Sequence, residues 1–184
     1  MPKQQVISWV LGTAVLLMGS AAGARVLITV EEALALAFPG GATAVRETLF
    51  LSQEQRTKVQ GTSGVEVKSG LATRYVARSA AGEVVGFAYL DTHVVRTLPE
   101  TVMVVIDADG AVQRVEVVAF REPLEYLPRD SWYGQYEDRK LDPELELKRG
   151  IRSVTGATLT ARATTDAVRR VLAIHEIAGR TTEP

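Results

Sequence analysis

The sequence predicts an α+β domain: an antiparallel sheet of about four strands with helices on its N-terminal side and one long C-terminal helix, preceded by a membrane-targeting segment. Three observations carry this expectation. Valine-rich runs separated by turns containing Gly and Asp fill the middle of the chain, and a single long amphipathic pattern closes it. The composition, 46% hydrophobic and 23% charged over 184 residues, is that of one domain with a core of its own plus an appended segment.

The elements follow in order. Lys3 precedes an uncharged run from Val6 to Ala24, close to the ~20 residues a helix needs to cross a bilayer, and Ala22-Gly23-Ala24 has the small-residue form of a cleavage site. Residues 1–24 are therefore expected to be a signal peptide or a membrane anchor, which places the rest of the chain in the periplasm or on the outer face of the cytoplasmic membrane. Residues 25–70 are expected to be a helical lead-in. Glu31 to Phe38 consists of strong helix formers stopped by Pro39-Gly40-Gly41, and Ser52-Gln53-Glu54-Gln55 has capping-box spacing before a second helix reaching about Gln60. From Leu71 the texture is β: LATRYVARS and EVVGFAYLDTHVV form a hairpin, TVMVVID suits a strand covered on both faces, and AVQRVEVVAF presents a mostly polar face through Arg114 and Glu116. Arg121 to Gly150 has no periodicity and carries Tyr126, Trp132, Tyr133 and Tyr136. Those rings either staple a long loop to the core or serve a ligand. Leu159 to Ala178 closes the chain as an amphipathic helix.

Composition also excludes function classes. Lys plus Arg number 21 against 22 for Asp plus Glu, so no global basic field exists to hold nucleic acid. With no Cys and two His, thiolate metal clusters, disulfides and thiol nucleophiles are all ruled out, no metal site is expected, and any redox chemistry must use an organic cofactor. His175 falls in the apolar stripe of the last helix and reads as a packed core residue. His93, near a strand end, reads as a solvated one. Asp107 and Asp109 are explained by turn chemistry. No nucleophile elbow, phosphate-binding lysine loop or paired catalytic carboxylates can be singled out.

One segment stands apart. Ile151-Arg152-Ser153-Val154-Thr155-Gly156-Ala157-Thr158-Leu159-Thr160 is a turn of small and hydroxyl-bearing residues that runs straight into a helix, whose free N–H groups and positive end suit a phosphate. Arg149, Arg152, Arg162, Arg169, Arg170 and Arg180 outnumber Asp166, Glu176 and Glu183 in this part of the chain, which favours an anion. An ordinary N-cap by Thr158 or Thr160 is the alternative use of the same residues.

Thr155-Gly156-Ala157-Thr158 at the start of the last helix resembles the S/T-G-A-T signature of the bacterial FMN-binding domain family, which includes the flavin-carrying peripheral subunits of the Rnf complex and of the sodium-pumping NADH:quinone oxidoreductase. The resemblance spans roughly Leu71 to Ala178 and makes residues 71–184 the FMN-binding domain. It implies FMN esterified through its phosphate to Thr158 by a flavin transferase, with Ser153, Thr155, Gly156, Ala157 and Thr160 around the phosphate. Arg152 or Arg149 then supplies charge, and Tyr126, Trp132, Tyr133 or Tyr136 shields the ring. It also implies an electron carrier, working with a redox protein or a membrane electron-transfer complex, rather than an enzyme with its own substrate. Two departures stand out. Arg152 occupies the position where the transferase pattern has an acidic residue, and Arg121-Glu122-Pro123-Leu124-Glu125 replaces the family's glutamate-threonine-proline-glycine segment. A non-redox secreted module for a phosphorylated ligand or protein partner is the competing reading.

Overall fold

The computed structural model describes residues 25–179, so the expected targeting segment lies outside the described residues. Six strands, β1 (Arg25–Val26), β2 (Thr43–Phe50), β3 (Leu71–Arg78), β4 (Val84–Val94), β5 (Pro99–Asp107) and β6 (Val112–Phe120), form one antiparallel sheet in the order β1-β6-β5-β4-β3-β2. From β2 to β6 this is a meander, in which each strand pairs with the next. Helix α1 (Val30–Ala37) covers one face, where Ala33 and Phe38 pack with Ala77, Ala88, Met103, Val105 and Val118. Helices α2 (Gln53–Ser63) and α4 (Thr158–Ile174) cover the other, over Val76, Phe87, Val104, Ile106 and Phe120. Among the described residues, no helix is long and apolar enough to cross a membrane.

The α+β class is as expected, but the sheet is wider than four strands. The stretch 25–70 is not purely a helical lead-in, because it contains β2, which pairs with β3 from Thr43↔Arg78 to Phe50↔Leu71. No residue of β2 is buried. This edge strand is held by backbone pairing, so it left no hydrophobic pattern to read. Ser52 completes its capping box with Gln55, as the spacing implied. The helix then runs past Gln60 to Ser63, with Gly64 as its cap.

Strand β5 is covered on both faces, as its apolar run requires: Val102, Val104 and Ile106 face α4, while Met103 and Val105 face α1. Strand β6 departs from simple alternation. Its register against β5 shifts between Val105 and Ile106 and again between Thr101 and Val102. Each shift inserts one unpaired residue, which keeps Val112, Val115, Val117 and Phe120 together on the α4 side. Arg114 and Glu116 lie on the opposite face and are joined by an ion pair, but Val118 on that face is buried under α1 rather than exposed.

Residues 121–150 are not structureless. They hold a 3₁₀ turn at Leu124–Tyr126, helix α3 (Asp130–Tyr133) and a second 3₁₀ turn at Gly134–Tyr136. Trp132, Tyr133 and Tyr136 are buried in the core beneath α4, with Trp132 edge-on to both tyrosines at 5.1 and 5.4 Å between ring centroids. These rings attach the loop to the sheet.

Candidate functional site

The segment leading into α4 is held in place from several directions. Gly150 is closely enclosed: a Cβ there would lie 2.4 Å from the Glu144 carbonyl oxygen, so no larger residue fits. The Trp132 indole Nε1 donates to the Arg152 carbonyl at 2.7 Å. The Arg152 amide and Nε both donate to Gln135 Oε1, at 2.9 and 3.1 Å. Gly156 then takes φ +85°, a conformation that L side chains resist, and turns the chain into the helix. A Cβ on Gly156 would meet nothing within 4 Å, so its backbone faces open space.

At the helix start the hydroxyls do not cap. The N-termini of α1 and α2 are closed by the capping boxes of Thr29 and Ser52, whereas no side chain caps α4. Thr158 Oγ1 instead donates backwards to the Val154 carbonyl at 2.9 Å, and buried Thr160 donates to the Tyr126 carbonyl at 2.5 Å. No side chain therefore closes the first turn of α4 or covers its positive end. Beside them is a cavity of about 230 Å³ lined by Gly156, Ala157, Thr158, Leu159, Thr160, Tyr126 and Arg96. Arg96 lies over the Tyr126 ring, 4.7 Å from its centroid.

Arg96 is positioned by Glu122. The Glu122 Oε1 accepts the backbone amides of Arg96, Thr97 and Leu98 at 3.3, 2.8 and 2.9 Å, which fixes the turn between β4 and β5. These amide bonds hold the Glu122 carboxyl below its usual pKa. Sequence reading missed Arg96, which is separated from Thr158 along the chain and reaches it only through this turn.

The structure distributes the other expected site residues as follows. Thr155, Gly156, Ala157, Thr158, Thr160 and Tyr126 converge at the α4 N-terminus, and Ser153 is exposed on the approach to it. Arg152 is exposed and turned towards Gln135, and Arg149 pairs with Glu146 at 3.0 Å, so neither lines the cavity. The local excess of arginine is likewise dispersed. Arg169 donates to the carbonyls of Ser63, Asp142 and Leu145, and Arg170 grips Asp91 through two bonds of 2.8 and 2.6 Å. Trp132, Tyr133 and Tyr136 are core residues and do not line this cavity. Thr165 donates to the Ala161 carbonyl, so the Tyr136 hydroxyl donates to Thr165, at 2.8 Å.

His93 is the largest correction. It is not solvated: its side chain is 10% exposed and bridges two carboxylates, Nδ1 to Asp91 at 3.0 Å and Nε2 to Glu100 at 2.9 Å. Burial opposes its charge, but the two carboxylates outweigh burial and raise its pKa to about 9. Burial likewise opposes ionisation of Asp91, yet the bonds and charges of His93 and Arg170 hold its carboxyl below the usual range. Glu100 is fully buried and also accepts from Thr164 at 3.2 Å. The register of β4 against β5 sets His93 directly opposite Glu100, while Asp91 shares the His93 face two residues earlier. His175 is a core histidine as read, bonded to the Tyr89 hydroxyl at 3.0 Å.

Residues 98–173 match the family model of the FMN-binding domain. The matched stretch runs from the start of β5 through the aromatic loop and the Thr158 turn to the end of α4. No curated protein matches the chain.

Proposed function

The chain carries a domain of the bacterial FMN-binding domain family, with FMN as its cofactor, and on that premise we propose that it is an exported or membrane-anchored electron carrier whose flavin is esterified through its phosphate to Thr158. The observation that carries the reading is the uncapped N-terminus of α4, with the Thr158 hydroxyl beside a cavity that also holds a cation, Arg96. When bound, FMN supplies one- and two-electron chemistry, and the protein has only to hold and tune it.

The residues present fit that task. The open backbone at Gly156 and the free amides of the first α4 turn receive phosphate oxygens, and Arg96 adds a full positive charge. A phosphoester replaces the Thr158 hydroxyl hydrogen, so the bond to the Val154 carbonyl is given up, at a cost of about 1 kcal/mol. The cavity, at about 230 Å³, is smaller than the ~300–1,000 Å³ of a complete ligand pocket and so suits the phosphate end of the cofactor. Tyr126, held on one side by Arg96 and through its carbonyl by Thr160, forms a rigid wall there. A flavin transferase completes the protein outside the cytoplasmic membrane from a flavin dinucleotide: Thr158 Oγ1 bonds to the FMN phosphorus as the pyrophosphate bond breaks, the nucleoside monophosphate leaves and the hydroxyl proton is released. A redox protein or membrane electron-transfer complex exchanges electrons with the product.

The test is export in a host that has a flavin transferase. The wild type is expected to be yellow, reducible and flavin-fluorescent in a denaturing gel. Thr158→Ala is expected to lose the fluorescent band while keeping its fold, since one hydroxyl bond is small against a total stability of about 5–15 kcal/mol. A band that survives the substitution moves the bond to Thr155 or Thr160. A colourless wild type favours the non-redox binder of a phosphorylated ligand.

A further inference from the structure

The large apolar side chains that the fold leaves outside gather at one end of the sheet. Here β2 stops, β3 starts, β4 turns into β5 and β6 runs out, as the pairs Phe50↔Leu71, Val94↔Pro99 and Glu100↔Phe120 fix. Phe50, Leu71 and Val94 lie on these strand ends, Leu124 in the turn that follows β6 and Leu159 in the first turn of α4, and all five are between 42% and 78% exposed. We propose that this end of the domain is a docking surface for a lipid bilayer, entering the boundary between headgroups and acyl chains. The proposal rests on the membrane-anchored form of the function given above and not on the ester at Thr158.

The patch exists because the cover over the sheet is short. Helix α1 has 8 residues and so spans about 12 Å, whereas β4 beneath it has 11 residues and spans roughly 36 Å. The C-terminus of α1 sits at the opposite end, where a Cβ on Gly86 would come within 2.9 Å of the Phe38 ring. Leu71 shares the α1 side of β3 with Tyr75 and Ala77 by strand alternation, and Phe50 pairs with it, so both extend that apolar face beyond the helix. Single exposed apolar residues are ordinary, but several at one end of a domain mark a contact surface.

The path of the chain argues for lipid as the occupant. Arg25 pairs with Phe120 at this same end, so the uncharged run Val6–Ala24 joins the domain beside the patch and not at the far side of the sheet. A chain that leaves a bilayer through that run brings this end to the lipid first. Arg96 and Arg121, exposed in the β4–β5 turn and just after β6, suit the same boundary, because their stems are apolar and their guanidinium heads reach headgroup phosphates. The nearby Glu122 carboxylate is turned inward onto the amides of that turn. Arg96 and Tyr126 also line the Thr158 cavity, so docking carries that cavity to the membrane surface.

The experiment uses the full chain, synthesised cell-free with vesicles of phosphatidylcholine and phosphatidylglycerol, and flotation of the vesicles reads anchoring. The chain has no Cys, so each single-Cys variant takes one fluorescent label. A nitrobenzoxadiazole label at Val94→Cys or Leu124→Cys is expected to be quenched by nitroxide lipids at least about threefold more than the same label at Ala81→Cys, in the exposed β3–β4 turn at the opposite end. Water-borne iodide is expected to give the reverse order. Phe50→Ser with Leu71→Ser, both at exposed positions, is expected to lower lipid quenching at position 94 by at least about half, which a passive tether would not do. Flotation with equal quenching at the two ends, or quenching that ignores the double substitution, overturns the docking while leaving the anchor intact, and gives the patch to a protein partner or a second copy. A chain that does not float overturns both.

Discussion

Removing the proton from His93 takes away the positive charge whose Nε2 meets the Glu100 carboxylate and leaves two buried carboxylates beside a neutral ring, and the cost follows from the geometry. The imidazole is held between Asp91 at 3.0 Å and Glu100 at 2.9 Å and titrates at about 9, against 6.5 for the ordinary group. A raised folded-state pKa means that the stabilisation is fully present below the unfolded value and is lost as pH rises through the folded one. The difference corresponds to about 3 kcal/mol, present in full near pH 6 and gone by about pH 10. Urea unfolding at several pH values in that window measures it. Wild-type protein is expected to lose about 3 kcal/mol more across the window than a His93→Gln/Glu100→Gln variant, which removes the cation and its buried counter-charge together. An NMR titration of the His93 ring is expected to give the same midpoint near 9. Parallel profiles for the two proteins, or a ring that titrates near 6.5, would refute the reasoning.

Three further outcomes are expected. Glu122→Ala deprives three backbone amides of their acceptor and is expected to cost about 1–3 kcal/mol in urea unfolding, while Glu122→Gln keeps an acceptor and costs less. Because the Glu122 pKa is depressed, its contribution is present above about pH 4.5 and is lost on further acidification in wild type, a loss that the Ala variant does not show. In a Thr158→Ala background, Arg96→Ala is expected to weaken FMN retention, most strongly at low salt, whereas Arg152→Ala leaves it unchanged, as equilibrium dialysis at two ionic strengths will show. Tyr136→Phe is expected to destabilise the protein by about 1 kcal/mol in thermal or urea unfolding without altering flavin content, because its hydroxyl serves Thr165 in the core.

Local signals in the sequence were informative wherever a short segment settles its own conformation. The Ser52 capping box, the Pro39-Gly40-Gly41 stop and the amphipathic period of α4 each act within a few residues, and each marks a real boundary. Bulges in β6 were less visible, since they depend on the partner strand. Strand β2 was invisible because backbone pairing needs no side-chain pattern. The aromatic loop illustrates the ambiguity of burial: a ring looks the same in sequence whether it faces a ligand or the core, and only packing sends Trp132, Tyr133 and Tyr136 inward while leaving Tyr126 at the cavity.

The sequence by itself therefore determined the α+β class, the exclusion of thiol chemistry, and the small-residue turn at Thr155-Gly156-Ala157-Thr158, because composition and short-range spacing carry those properties. Tertiary structure alone decided the electrostatics. Arginines near the signature in sequence are drawn off to Gln135, Glu146, Asp91 and backbone carbonyls, while Arg96, distant in sequence, reaches the Thr158 cavity through a turn fixed by Glu122. His93 changes from an ordinary strand residue to a buried cation because the register of β4 and β5 brings Glu100 opposite it. Charges act over a few ångströms through space, and the distance between two side chains is set by folding rather than by their separation along the chain.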